Sequence, residues 1–237
     1  MTSIPEAVPS RGEERERQVR RVFSEIAPRY DLLNHVLSLN IDRSWRRRAV
    51  ARLGWERHPD GRYLDACAGT FDLSLELAGK PRFTGSVVGS DFAWPMLFEG
   101  LPKIAGRPVV PVCGDALRLP FESASFHGAT VGFGVRNLAD LDRGFAEFHR
   151  VLKPGARLVV LEFTTPPNAL LRRLYLFYFH HILPRIGRIV SGHPWAYTYL
   201  PESVKEFPEP GALAERDRKS TRLNFSHGYI SYAVFCL

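Results

Sequence analysis

The sequence predicts an α/β fold: a mostly parallel sheet with helices on both faces, entered through an all-helical segment that forms a lid. Three observations predict it. From Arg62 onward, short apolar runs alternate with helical segments, the pattern of a parallel sheet covered on both sides. Before that point apolar residues recur only at helical spacing. The chain has 237 residues, 45% of them hydrophobic and 24% charged, enough for one domain with a sizeable core and unlike a disordered or collagen-like chain.

Residues 1–12 read as a disordered leader, Pro-containing and without the apolar core of a secretory signal. Residues 13–61 form the helical lid: Val19, Val22, Phe23 and Ile26, then Leu32, Leu33, Val36 and Leu37, keep helical spacing, and Pro28 interrupts the first run. The arginines at 15, 17, 20 and 21 are interleaved with glutamates and read as a solvated helix face. Strands follow at Tyr63–Cys67, Ser86–Ser90, Val109–Val112, Ala129–Gly132 and Arg157–Phe163, with helices at Asp72–Ala78, Ala93–Glu99 and Leu141–Leu152. Right-handed crossovers place the functional loops at the strands' C-terminal ends.

Composition narrows the chemistry. No run reaches the roughly 18 apolar residues of a membrane span, and three scattered cysteines make neither a disulfide framework nor a metal site. His180 and His181, adjacent on a helix, face different sides, so no metal site is expected. The chain reads as cytoplasmic. A net charge of +7 and a pI near 9.6 suit anionic partners without choosing among them.

The first strand ends in "YLDACAGTFDLS". Gly69 has no Cβ, so backbone can approach a ligand there, while Asp72 reads equally as a helix N-cap. Asp91 ends the second strand about 20 residues later, where a carboxylate accepts from both ribose hydroxyls. A dinucleotide turn wants three glycines, and Gly69 stands almost alone; this favours S-adenosylmethionine over NAD. Asp115 and Ala116, after the third strand, can hold an adenine, although a Gly-Asp pair also opens turns. Arg136 and Asn137 follow the fourth strand. Arginine stays protonated, so Arg136 either stabilises a developing phenolate and positions a water, or pairs with an acid such as Asp31. His35 has the intrinsic pKa of a base.

The chain resembles the quinone-biosynthesis C-methyltransferases, a class I, Rossmann-like family. The likeness lies in "VFSEIAPRYDLLNHVLSLNIDRSWR", "GDALRLPF", "GFGVRNLADLDRGFAEFHRVLKPGARLVVLEFTTP" and "YTYLPESVKEFP", and spans about Val19 to Glu215. It implies S-adenosyl-L-methionine as cofactor, held by Gly69, Thr70, Asp91, Asp115, Ala116 and the Gly132 position, where relatives often carry Ser. Relatives usually have Gly at Phe71, whose ring must then point away from the cofactor or pack on its lid. The resemblance assigns Arg136, Asn137 and His35 to catalysis and Tyr30, Asp31 and Asn34 to the substrate lid. It implies methylation of a membrane-resident polyprenyl quinol, demethylmenaquinol ahead of the ubiquinone precursor, at the inner face of the membrane. The aromatic, basic run Leu170–Val190 is the candidate membrane contact. No nucleic-acid partner is expected, and a homo-oligomer is left open. Rival readings are an RNA methyltransferase of the same fold and a non-enzymatic quinone-binding remnant.

Residues 62–215 form the cofactor-binding domain, and the likeness stops after it. The ending 216–237 reads as an anomalous tail, leaving the C-terminal strands of the sheet incomplete, with "GYISYAVF" able to fill part of one gap. Its four cations against Asp217 reduce the charge of the remainder to +4.

Overall fold

A computed structural model of the chain describes residues 12–38, 40–163 and 229–235, with isolated residues between 168 and 208. The leader, most of Leu170–Val190 with His180 and His181, and the first part of the tail lie outside the described residues.

Three helices open the fold: α1 (Glu13–Ile26), α2 (Tyr30–Leu37) and α3 (Asp42–Leu53). Pro28 sits in a 3-10 turn, Ala27–Arg29, that separates the first two, because proline has no N–H for a continuous helix. Val19 and Val22 bury the inner face of α1. The arginine cluster on its other side splits. Arg17, Arg20 and Arg21 make exposed pairs with Glu14, Glu16 and Glu25, worth little in water. Arg15, expected among the solvated groups, is instead buried and donates to the Arg136 carbonyl at 2.9 Å.

The strands are β1 (Arg62–Ala66), β2 (Ser86–Asp91), β3 (Val109–Cys113), β4 (Phe126–Gly132), β5 (Leu152–Phe163) and β6 (Tyr229–Phe235). They form one sheet in the order β3-β2-β1-β4-β5-β6, every neighbouring pair parallel. Between them run α4 (Asp72–Ala78), α5 (Trp94–Ile104) and α6 (Leu141–Val151). Alternate strand residues serve two cores. On one face Tyr63, Val87 and Val159 meet Val50, Leu53, Leu77 and Leu97 from α3, α4 and α5. On the other, Leu64, Val88, Ala129 and Val160 meet Phe145, Phe148 and Val151 of α6. Each such side chain contributes about 1.5–3 kcal/mol on burial. The Asp140 carboxylate caps α6 by accepting from Arg143 N at 3.0 Å.

Three boundaries differ from the sequence expectation by more than one residue. The fourth strand starts at Phe126, three residues early, because His127 and Gly128 break the apolar pattern while Phe126 and Gly128 still pair with β5. The fifth runs back to Leu152, with a register irregularity near Phe126 and Gly128. The helix expected to end at Glu99 continues through Pro102 to Ile104. The expected incomplete edge is covered: β6 pairs along β5 from Arg157↔Tyr229 to Phe163↔Phe235.

Candidate active site

The loops at the C-terminal ends of β1, β2, β3 and β4 converge on a cleft of about 720 Å³, part of it open to solvent. Gly69, Asp91, Asp115, Ala116, Gly132 and Asn137 line it, and Val19, Phe23 and Tyr30 of the helical segment close over it. Four distant stretches of sequence therefore meet at one place.

Asp91 organises the floor. Its Oδ2 accepts from Gly69 N and its Oδ1 from Ala93 N, both at 2.9 Å, so the first two loops are held by one carboxylate. Burial pushes its pKa up, opposed by the backbone N–H groups of Ala93, Gly69 and Phe92. Each carboxylate oxygen has a second lone-pair site for a diol. Gly69 has φ +54, a left-handed conformation that favours glycine and lets the backbone approach a ligand there.

Asp65, at the end of β1, caps the helix below the cleft. Its Oδ2 accepts from Ser74 N at 2.9 Å and Ser74 Oγ at 2.7 Å, and its Oδ1 from Thr130 Oγ1 at 3.0 Å. Burial dominates these bonds and raises its pKa to about 6. The N-cap position of α4 belongs to Phe71, not to Asp72 as expected from sequence. Phe71 is left-handed, with φ 69, and wholly buried. Its ring points away from the cleft into a slot between Gly89 and Gly100, where added Cβ atoms would lie 2.5 Å from it.

A polar network ties the lid to this loop. Lys103 Nζ donates to Asp31 Oδ2 at 2.8 Å, Asp72 Oδ1 at 2.6 Å and Thr70 Oγ1 at 3.2 Å. Arg46 continues it, 2.9 Å from Asp72 Oδ2 and 2.7 Å from Asp42 Oδ2. Its approach to Asp72 Oδ2 is an ion pair off the hydrogen-bonding direction. Thr70, expected at the cofactor, donates its hydroxyl to Asp31. It lines a smaller polar cavity with Tyr30, Asn34, Arg46 and Asp72. Burial raises the Tyr30 phenol pKa, with Asn34 as its hydrogen-bond partner.

Asp115 opens a turn, its Oδ1 accepting from Leu117 N at 2.8 Å, and the residue also lines the cleft beside Ala116. At Gly132 a Cβ would meet Leu73 Cδ1 at 2.7 Å, so a serine there would require Leu73 to shift.

The three expected catalytic residues are not brought together. Asn137 lines the cleft. Arg136 is buried, its Nη1 paired with Glu162 Oε1 at 2.6 Å, and its Nε donates to Ser203 Oγ at 3.3 Å. The acid partner is thus Glu162, not Asp31, because the side chain turns under the sheet's end. His35 sits on α2 with Nδ1 2.9 Å from Asp42 and lines neither cavity. The sequence reading missed Lys103, which lies beyond Glu99, the expected end of its helix. It placed Val19 and Phe23 in the helical lid, but helical spacing signals an apolar face without saying that this face covers the cleft.

Fold and site together define a class I methyltransferase that uses S-adenosylmethionine. In architecture the chain is similar to a Thermotoga maritima S-adenosylmethionine-dependent methyltransferase described as a possible histamine N-methyltransferase (TM-score 0.54, 17% identity, 84% of this chain and 79% of that one). The family model for the ubiE/COQ5 methyltransferases matches residues 11–230, and the chain belongs to that family. It is 49% identical over 203 residues to demethylmenaquinone methyltransferase of Deinococcus radiodurans, covering 84% of this chain and 83% of that one. It is 50% identical over 195 residues to the enzyme of the same name from Thermus thermophilus (81% and 87%). A third relative is the ubiquinone/menaquinone biosynthesis C-methyltransferase of Geobacter sulfurreducens, 44% identical over 199 residues (82% and 77%).

Proposed function

We propose that the protein methylates a ring carbon of a polyprenyl quinol, with demethylmenaquinol as the substrate and S-adenosylmethionine as the methyl donor. The observation that carries this reading is the chemistry of the cleft. Among the described residues its wall includes no lysine or arginine, while Val19, Phe23, Phe92, Met96 and Leu138 make it largely apolar. That suits a quinol with an isoprenoid tail, and it disfavours an RNA phosphate backbone, which binds through cations.

The donor set fits the cofactor. Asp91 would take the ribose hydroxyls, Gly69 the close approach of backbone, and Asp115 with Ala116 the adenine. The cofactor supplies an electrophilic methyl group on a sulfonium. The protein's part is orientation and exclusion of water. Loss of a proton from a quinol hydroxyl raises electron density on the ring carbon, which forms the new C–C bond as the C–S bond breaks; the ring C–H proton then leaves. Asn137 stands where it can orient that hydroxyl. Arg136, held by Glu162, positions the turn carrying Asn137, and Tyr30 closes the lid with Asp31 and Asn34. His35 supports the lid through Asp42.

We assign residues 13–61 to the lid and 62–215 to the catalytic domain, with 216–237 a separate ending, of which the family model still covers the part up to residue 230. We place the enzyme in the cytoplasm, meeting its substrate at the inner face of the membrane. Exposed Leu170 and Phe177 beside Arg172 and Arg173 support that contact, since basic and apolar side chains together favour an anionic bilayer surface. Among the described residues no helix is long and apolar enough to cross a membrane.

The test is methyl transfer from labelled cofactor to demethylmenaquinol, a polyprenyl benzoquinol and RNA, each with a short-tailed or unstructured control. Transfer to demethylmenaquinol above the other two supports the reading; transfer to RNA alone, or to none, rejects it.

A further inference from the structure

A second cavity lies at the opposite end of the sheet, under the N-terminal ends of β1, β4 and β5. It encloses about 1130 Å³, part of it open to solvent. β4 alone is seven residues long, which at about 3.3 Å per residue separates it from the cleft by roughly 20 Å. The cavity therefore plays no part in methyl transfer as derived above.

Its lining is cationic. Arg57, Lys153 and Arg157 face it together with His58 and His127, and among the described residues no carboxylate lines it. Among the described residues none of the three cations pairs with an acid. Arg157 Nη1 donates to the Arg52 carbonyl at 3.1 Å. Asp60 is the acid that acts on His127, and it is outweighed there by burial, Lys153 and His58, which together lower the imidazole pKa.

A second, independent feature is a conflict between hydrogen-bond donors. His127 Nδ1 accepts from Arg62 N at 3.1 Å, and His127 Nε2 lies 2.9 Å from Lys153 Nζ. A neutral imidazole accepts at one nitrogen only. With Nδ1 accepting, Nε2 carries the hydrogen and points it at an ammonium that has only hydrogens to offer. The ring of His58, with its centroid 4.9 Å from that of His127, adds another imidazole to the same wall. An anion resolves the conflict once Nζ, now 2.9 Å from Nε2, swings aside to admit an oxygen that accepts from both.

We propose that this cavity binds a small phosphate-bearing anion of the diphosphate class, through Lys153, His127, Arg57 and Arg157. Several convergent donors without a carboxylate match an oxyanion with multiple charged oxygens, and charge-assisted bonds to such groups are strong. A free anion is favoured over a lipid headgroup, since a bilayer at this end would sit at the far side of the sheet from the cleft.

The test is calorimetric titration of the full chain with inorganic phosphate and diphosphate at fixed ionic strength, alongside sedimentation with phosphatidylglycerol vesicles. Wild type, Lys153→Gln and Arg57→Gln are compared, with Lys80→Gln as a control elsewhere on the surface. Saturable diphosphate binding, weakened at least tenfold by Lys153→Gln and by Arg57→Gln but not by Lys80→Gln, is expected. Histidine nitrogen resonances of His127 should move on saturation. Vesicle capture that depends on Lys153, without diphosphate binding, would keep the anion site and assign its occupant to a headgroup. No binding of either probe, or binding indifferent to Lys153 and Arg57, overturns the proposal. Methyl transfer should be unchanged in both variants, so this result is separable from the fate of the proposed activity.

Discussion

The ring of Phe71 offers a quantitative check on how the cofactor loop is built. The family resemblance implies glycine there; this chain stores a phenyl ring, wholly buried, in a slot that exists because positions 89 and 100 lack side chains. Replacing Phe71 by Gly removes a buried aromatic, which costs about 3–5 kcal/mol. It also relieves a left-handed residue at φ 69, worth about 1–2 kcal/mol. The net loss should be about 1–4 kcal/mol. Gly89→Ala alone puts a methyl 2.5 Å from Phe71 Cδ1, an overpacking of about 1–3 kcal/mol offset by about 0.5–1 kcal/mol of backbone entropy. In the Phe71→Gly background the nearest remaining atom is Ala68 Cβ at 3.3 Å, so the same substitution should become neutral or stabilising. Urea denaturation of the four proteins, extrapolated to water, should give a coupling of about 1–3 kcal/mol. Cofactor affinity should change little in Phe71→Gly, because the ring does not line the cleft. Additivity within about 0.5 kcal/mol would refute the slot.

Three further outcomes follow from the site. Asp91→Ala should weaken cofactor binding by about 1.5–3 kcal/mol, the range for a hydrogen bond to a charged group; unchanged affinity in a titration would remove Asp91 from the ribose. Arg136→Ala should destabilise the fold by about 3–5 kcal/mol, because it leaves Glu162 buried and unpaired. A variant that melts like wild type and loses only turnover would return Arg136 to direct catalysis. Asp65 has its carboxyl raised from 3.8 to about 6 in the fold, so the folded state binds more protons than the unfolded chain between those values. Stability from this group is therefore present below pH 4 and lost as pH rises to 6, by up to about 3 kcal/mol. Asp65→Asn should flatten that part of the stability curve, and an unchanged slope would contradict the raised value.

Much of this was legible in the sequence, for definable reasons. Strand ends and the residues bonded to them are local: Gly69, Asp91, Asp115 and Ala116 follow apolar runs whose ends are marked by turn residues, and all four line the cleft. Asp72–Ala78 was readable to the residue because Gly79 stops it. Side-chain direction was not legible. Thr70 and Arg136 occupy the expected loops, yet Thr70 turns to Asp31 and Arg136 to Glu162, choices set by partners 39 and 26 residues away. Lys103 was hidden for the same reason, since an ion pair between α5, α2 and α4 leaves no periodic trace. The terminal strand lay between these extremes: its composition announced a strand, while its partner β5 is fixed only by the sheet.

The account stands or falls on where the methyl group lands. Single-turnover reaction with carbon-13 methyl-labelled S-adenosylmethionine and short-tailed demethylmenaquinol, followed by NMR of the extracted quinone, reads this directly. The account predicts one labelled methyl signal at an aromatic ring carbon, strongly reduced in Asp91→Ala at limiting cofactor. A methoxy signal, a label left on the cofactor, or ring methylation of equal yield in Asp91→Ala would contradict it.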